Sequence, residues 1–318
     1  MTLNPKKICN KFLKINSEIV AQISDTTDAF PFYKNFDRPI FILAPPRSGS
    51  TFLFECLTKF DGLMYLDYEA DGLWWEIFPY DRLSNPSDYV DSNEATSRKI
   101  RMLKERIYRS VVSNVLIKRN EDISKWEQLQ YKIGIKPIRY IDKTIANCFH
   151  LEVIEKVFPD ACYIFLIRDP RANISSMIEG WAYIEKFGKP QLTYIIQNLK
   201  STVYHWTYPA PPNWTDIVNQ PLPVICAWSW KQHIEYVLRF FEKRNKEDHL
   251  IWVRYEDLVE SPEDTIAEIA NRLSLKWCER VREYLKNPPL SRTTISKPKR
   301  EKWKEKNYRN MIKILPIV

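Results

Sequence analysis

Eight consecutive residues, Ala44-Pro-Pro-Arg-Ser-Gly-Ser-Thr51, have the composition of an anion cradle. Backbone N–H groups in such a loop can converge on a phosphate, and a helix that follows adds partial positive charge at its N-terminus. Gly49 permits close backbone approach, Ser50 and Thr51 add hydroxyl donors beside Ser48, and Arg47 brings a cation into the loop itself. It is not a Walker A loop. The pattern G-x-x-x-x-G-K-[ST] needs Gly at 44 and Lys at 50, where this chain has Ala44 and Ser50. A second stretch, Ile167-Arg-Asp-Pro-Arg-Ala-Asn-Ile-Ser-Ser176, sets Arg168 at the end of an apolar run and Ser176 eight residues on, roughly two helical turns away. An Arg there can present a planar fork to a phosphate, and a Ser can complete the contact. Each has a plainer alternative: an ordinary strand–helix turn for the loop, and an ion pair with Asp169 or Glu152 for Arg168.

These residues need elements to hold them. Pro39-Ile-Phe-Ile-Leu43 reads as a buried parallel strand, and Thr51–Leu57 then has helical spacing. Tyr140–Asp142 reads as a short strand, and His150–Phe158 as a helix with Leu151, Ile154, Val157 and Phe158 on one face. Cys162–Ile167 is the most strand-like run, with Pro170 suited to the first turn of the next helix. A third unit comprises a helix from about Ala227 to Arg244, a strand at Leu250–Val253 and a helix opening at Ser261-Pro-Glu-Asp264, close to a capping box. Its buried stripe is Ile266, Ile269 and Leu273. Strands alternating with helices predict an α/β fold: a P-loop-like parallel β-sheet flanked by helices on both faces. Residues 64–135 and 181–224 break the rhythm. They read as helical and loop insertions that roof a substrate pocket, within a single domain over 1–318 whose core spans about 38–300.

Composition narrows the partners. The chain has 318 residues, 44% of them hydrophobic and 28% charged, which is ordinary for a globular protein. The net charge of +8 is spread along the chain and is densest at Lys297–Arg309, so an anionic small ligand is expected rather than nucleic acid. Six Cys (9, 56, 148, 162, 226, 278) form no C-x-x-C pair, which predicts buried thiols in a reducing compartment and no zinc site. The start, Met1-Thr-Leu-Asn-Pro-Lys-Lys, lacks a signal-peptide run, and no stretch approaches 18 apolar residues. A soluble, cytoplasmic protein with no membrane partner is expected.

Together the loop and the Arg–Ser stretch resemble the family of sulfotransferases that use 3′-phosphoadenosine 5′-phosphosulfate (PAPS), most closely the branch with tyrosylprotein sulfotransferases and many bacterial small-molecule enzymes. The family's 5′-phosphosulfate loop is similar to Pro46–Thr51, and its 3′-phosphate motif is similar to Arg168 with Ser176. Asp142-Lys-Thr144 resembles the stretch that supplies a lysine to the transferring sulfonate. Arg254-Tyr-Glu-Asp-Leu258 resembles the segment whose Tyr, here Tyr255, contacts the adenosine. The resemblance covers about Ile40 to Lys299, less well over the two insertions. It also implies a general base about twenty residues after the loop Arg, where Glu69 stands; His205 is the second choice.

The resemblance then implies a mechanism. PAPS is the co-substrate and no metal is used, because Arg47, Lys143 and the loop N–H groups supply positive charge where negative charge develops. Glu69 accepts the acceptor's proton. Arg168 and Ser176 fix the nucleotide, and the basic piece Ser291–Arg300 closes over the 3′-phosphate with Lys297 as the contact. Between Tyr65 and Glu76 the chain carries four carboxylates and four aromatic rings. That mixture suggests a small, positively charged or amine-bearing natural product as acceptor; the plainer alternative is that Trp74 and Trp75 are core residues and the acids face solvent. The alternatives are an ATP-dependent kinase with a degenerate loop, in which Asp142 binds metal, and a non-catalytic nucleotide-binding module.

Overall fold

The computed structural model describes residues 36–79, 87–118, 124–132, 134–187, 201–203, 205–246, 249–295 and 299–317. Five parallel strands, β1 (Ile40–Leu43), β2 (Leu63–Met64), β3 (Arg139–Asp142), β4 (Cys162–Ile167) and β5 (Leu250–Arg254), form one sheet in the order β2-β3-β1-β4-β5. The order places β1 between β3 and β4, with Ile40 opposite both Ile141 and Cys162. The chain must therefore cross over β1 to pass from β3 to β4. In such sheets the loops beyond the carboxyl ends of the central strands diverge and leave a crevice. The loop after β1 and the stretch after β4 both open there.

Side-chain alternation explains why both faces are covered. Phe41, Leu43, Tyr140, Tyr163 and Phe165 face one core, while Ile40, Ile42, Ile141, Ile164 and Leu166 face the other. A strand buried on both faces needs apolar residues at every position, which is what β1 and β4 supply. The helices divide accordingly. On the Phe165 face lie α2 (Asp71–Ile77), α3 (Ser97–Lys118) and α5 (Leu151–Val157), together with Val237, Phe240 and Phe241 from α7 (Leu222–Arg244). The opposite face is covered by α1 (Ser50–Leu57), α9 (Pro262–Arg272) and α10 (Glu279–Lys286), with Leu258 from α8 (Tyr255–Glu260). The remaining helices are α4 (Lys125–Lys132), α6 (Pro170–Phe187), α11 (Lys302–Lys306) and α12 (Tyr308–Ile314).

The two insertions behave differently. Helix α3 buries Leu103, Ile107 and Val111 against the sheet side of the core, so the first insertion mainly thickens that layer. The second builds a separate aromatic cluster in which Trp181 of α6 meets Trp206 at 5.2 Å and Tyr208 at 5.5 Å, both edge to face. Trp303 and Met311 from the C-terminal helices join the same cluster.

Local expectations needed two adjustments. Helix α7 begins at Leu222 rather than Ala227, because Pro221 and Pro223 sit at its start, where a missing N–H costs nothing. Ser261 makes no side-chain cap on α9. Its backbone N–H is already donated to Asp257 O at the end of α8, and one residue joins both helices. Cys56, Cys148 and Cys226 are buried free thiols, as expected, and Cys9 lies outside the described residues. No helix among the described residues is long and apolar enough to cross a membrane.

Phe165 is the test of this core. It has no solvent exposure and meets Trp252 edge to face at 5.1 Å. Phe165→Ala should lower unfolding free energy in urea by about 3–5 kcal/mol. Trp126→Ala, at a site 65% exposed, should change it by less than about 0.5 kcal/mol.

Candidate active site

The loop between β1 and α1 alternates backbone hand. Arg47 has φ 64° and Gly49 φ 102°, and the Ser48 N–H between them turns back to Pro45 O at 3.4 Å. The N–H groups of Gly49, Ser50 and Thr51 stand at the start of α1, where no intrahelical acceptor exists. Gly49 is required twice over. Its left-handed conformation disfavours a side chain, and a Cβ there would lie 2.3 Å from the Tyr255 ring. Asn173 of α6 fastens the loop by donating from Nδ2 to Pro46 O at 2.7 Å.

Arg168 leaves the end of β4 and stacks its guanidinium over the Tyr255 ring, 4.4 Å from the centroid. It donates from Nη1 to Arg47 O at 3.3 Å, which ties the second phosphate candidate to the first. Burial is the main reason its guanidinium is held below the ordinary arginine value, followed by the nearby Tyr255 and Glu256, which oppose the shift. Neither expected carboxylate partner takes it. Asp169 instead accepts from the Arg171 and Ala172 backbone N–H groups at the start of α6 and pairs with the Arg171 side chain at 2.6 Å. Glu152 lies 3.6 Å from Arg244. Ser176, two turns into α6, lines the same cleft as Arg47, Gly49, Ser50, Thr51 and Tyr255.

Five donors at or beside the cleft are buried without a partner among the described residues: Arg47 Nε, Ser48 Oγ, Arg168 Nε, Thr207 Oγ1 and Ser291 Oγ. Buried polar groups are nearly always hydrogen-bonded, so unpaired donors around one cleft fit a ligand rich in acceptor oxygens. A sulfated and phosphorylated nucleotide is such a ligand. The chemistry of the cradle therefore fits PAPS.

Opposite the loop, Lys143 Nζ pairs with Glu69 Oε1, across 74 residues of chain. Lys143 is almost fully buried and Glu69 about one third exposed, and both line the cleft. Asp142 is held by hydrogen bonds on both oxygens. Its Oδ1 accepts from Thr144 N at 3.1 Å and Thr144 Oγ1 at 2.8 Å, and its Oδ2 from Asn147 Nδ2 at 2.7 Å. Burial still raises its pKa, against those hydrogen bonds.

Of the acidic aromatic segment 65–76, only Glu69 is among the residues lining the cleft. Trp74 is buried in the core and stacks on His150 at 4.1 Å, and Glu76 pairs with Arg106 at 2.7 Å. Trp74 is thus a core residue, while Tyr68, next to Glu69, is 55% exposed. His205 is not among the cleft residues, although Thr207 and Tyr208 beside it are. His150 and His233 are core residues whose imidazoles burial pulls down to about 3 and about 4.

The C-terminal piece does reach the cleft. Arg47 donates from Nη1 to Thr293 O at 3.0 Å, Thr293 and Thr51 hydroxyls meet at 3.2 Å, and Ile295 and Lys299 line the wall. Lys297 lies outside the described residues. The sequence reading missed Asn173, Thr293, Tyr208 and Gly180. Gly180 of α6 has a signal in hindsight, being one of only 6 glycines. A Cβ there would meet the Tyr208 hydroxyl at 2.3 Å and Arg47 Cδ and Nε at 3.3 Å. Thr293 lies inside the Ser291–Arg300 piece, but neither its carbonyl's contact with Arg47 nor its hydroxyl's with Thr51 has a signal in the sequence.

The sequence profile described as "Sulfotransferase family" matches residues 39–217. No curated protein sequence matches significantly. Among solved structures, sulfotransferase STF9 from Mycobacterium avium is 17% identical, with 86% of this chain and 72% of that one covered and a TM-score of 0.47. The sulfotransferase domain from the curacin biosynthetic pathway is 18% identical, covering 78% and 77% at a TM-score of 0.42. Mouse sulfotransferase SULT7A1, solved with PAP, is 12% identical, covering 89% and 84% at a TM-score of 0.43. The profile spans more than half of the 318 residues and includes the loop, Lys143, Arg168 and Ser176, and on that match the chain belongs to the sulfotransferase family.

Proposed function

We propose that this protein transfers a sulfonate from PAPS to a hydroxyl or amine of a small-molecule acceptor. The observation that carries the reading is the set of buried unpaired donors at the cleft, Arg47 Nε, Ser48 Oγ and Arg168 Nε among them, beside a loop that opens a helix. In this reading Arg47, Ser48, Gly49, Ser50 and Thr51 hold the 5′-phosphosulfate, Arg168 and Ser176 hold the 3′-phosphate with Lys297, and Tyr255 packs on the adenosine side. PAPS supplies an activated sulfonate whose S–O bond to phosphate breaks as the bond to the acceptor forms. Lys143 follows the electron pair that stays on the phosphate oxygen, and Glu69 takes the acceptor's proton. Arg47 and Lys143 provide the positive charge at the reacting centre, so no divalent cation is given a role.

The nucleotide half is tested by thermal shift. Adenosine 3′,5′-bisphosphate (PAP) in EDTA should raise Tm, and ATP with Mg²⁺ should not; the reverse would favour a kinase. Arg168→Ala and Ser176→Ala should each weaken PAPS binding by about 1.5–3 kcal/mol, the range for a charge-assisted hydrogen bond. Adenosine 5′-phosphosulfate, which lacks the 3′-phosphate, should be little affected. Equal losses for both nucleotides would place these residues elsewhere.

The proton half is tested by Glu69→Gln, which keeps shape and removes the acceptor of the proton. PAP affinity should be retained while kcat falls about a hundred- to ten-thousand-fold. Retained affinity with lost turnover also separates an enzyme from a binding module. Near-normal kcat would move the base, with His205→Ala as the next variant.

For the acceptor, the case for a cationic natural product now rests on Glu69, with Ile145, Ile184, Tyr208 and Pro209 offering apolar contact nearby. A panel of alcohols, phenols, amines and guanidines finds the acceptor class. Within it, a guanidinium-bearing alcohol should exceed a neutral alcohol of equal size in kcat/KM by about 1.5- to 5-fold, as expected for a partly exposed ion pair. Preference for the neutral compound would remove the cationic class and leave the transfer chemistry in place.

A further inference from the structure

Glu69 and Lys143 are joined by more than their ion pair. Thr144, the residue after Lys143, is wholly buried. Its hydroxyl donates to Asp142 Oδ1 at 2.8 Å, so its proton is committed and its free lone pairs face the other way. There it accepts from Ala70 N at 2.7 Å. Ala70 is the residue after Glu69 and the N-cap of α2, with its carbonyl receiving Leu73 N at 2.9 Å and Trp74 N at 3.2 Å. Two links therefore run in parallel between residues 69–70 and 143–144, one between charged side chains and one between backbone and hydroxyl.

The two links have different fates in the reaction. Residues 65–70 between β2 and α2 carry no helix or strand, so nothing regular fixes Glu69. When Lys143 turns to the leaving oxygen and Glu69 to the acceptor, their ion pair must open. The buried Thr144–Ala70 bond has no reacting partner and persists. We infer that Thr144 is the positioning residue of the proton-accepting carboxylate, holding Glu69 in register through the Ala70 amide while Asp142 fixes the hydroxyl. This rests on Glu69 as the base. Loss of the hydroxyl lets Glu69 drift, and a displacement near 1 Å is enough to cost about a hundredfold in rate.

The test uses Thr144→Val, Thr144→Ser, Glu69→Gln and the double variant Thr144→Val with Glu69→Gln, assayed with the best acceptor of the panel. Thr144→Val should lower kcat about ten- to a hundredfold and leave the KM for PAPS and the Kd for PAP unchanged. Thr144→Ser, which keeps the hydroxyl, should restore kcat to within a few-fold of the parent. In the Glu69→Gln background the valine change should add no further loss, because the group it positions is already gone. Hydrogen exchange, which needs no acceptor, should show the Ala70 amide exchanging at least tenfold faster in Thr144→Val and not in Thr144→Ser. Normal kcat in Thr144→Val, or an additive loss in the double variant, would overturn the inference. Failure of both Thr144→Val and Thr144→Ala to bind PAP would make Thr144 a fold residue and overturn it too. Normal kcat in Glu69→Gln alone would instead remove the base on which the inference stands, a distinguishable result.

Discussion

Two guanidiniums share the cleft without a carboxylate to neutralise either among the described residues, and the surrounding architecture follows from that. Burying an unpaired cation is unfavourable, and here the two disfavour each other: Arg47 is among the causes holding Arg168 below its ordinary value. The chain limits the cost locally. Arg168 lies on the Tyr255 ring and lends one N–H to Arg47 O, while Arg47 lends one to Thr293 O. The carboxylates that could have quenched them are occupied. Asp169 caps α6 and holds Arg171, and Glu256 Oε1 accepts the Asp169 N–H at 3.0 Å. What remains is positive charge that only a polyanion can satisfy fully, presented by Nε atoms with no protein partner among the described residues.

Sheet order brings those charges together. Because β1 lies between β3 and β4, the segments leaving all three strands at their carboxyl ends converge: the Arg47 loop, Lys143 and Arg168. No strand in the set is longer than six residues, so the site is supported by the helices behind it. Asn173 on α6 holds Pro46 O, and Gly180, about two turns further along the same face, lets Arg47 and Tyr208 pass at close range. The second insertion and the C-terminal helices then close the far wall through the Trp181–Trp206–Trp303 cluster.

Much of this scaffold was legible because buried parallel strands are written as unbroken apolar runs, as β1 and β4 are, while β3 and β5 carry shorter apolar cores, Tyr140-Ile141 and Leu250–Val253. Strand β2, just Leu63–Met64, has too few residues to carry a pattern. The start of α7 was hidden by prolines that read as breakers and serve as first-turn residues. The anion loop was legible for a different reason: its donors are consecutive in sequence, so no tertiary knowledge is needed. Glu69 and Lys143 are the opposite case. They meet across 74 residues, no spacing rule predicts the pair, and only the family resemblance brought them together. In the 65–76 segment aromatics beside acids could mean a cation box or a core stripe, and sequence alone does not separate the two; Leu73, Trp74 and Ile77 form the buried stripe of α2.

The active side of the cleft divides its interactions by what the chemistry must undo. The Glu69–Lys143 pair joins an almost fully buried cation to a carboxylate about a third exposed. A buried cation left without a partner is unfavourable, so in the proposed mechanism the pair opens only as the developing negative charge takes the place of Glu69 beside Lys143. The hydrogen bonds behind it are buried, neutral at Thr144 and Ala70, and satisfied at every lone pair the geometry offers to Asp142 Oδ1. Breaking one there would strand a buried polar group, at about 1–3 kcal/mol. An electrostatic contact set on a stiff hydrogen-bonded base allows charge to move while positions do not. That combination follows from two adjacent residues, Lys143 and Thr144, facing two adjacent residues, Glu69 and Ala70, with one pair bearing the charges and the other bearing the geometry.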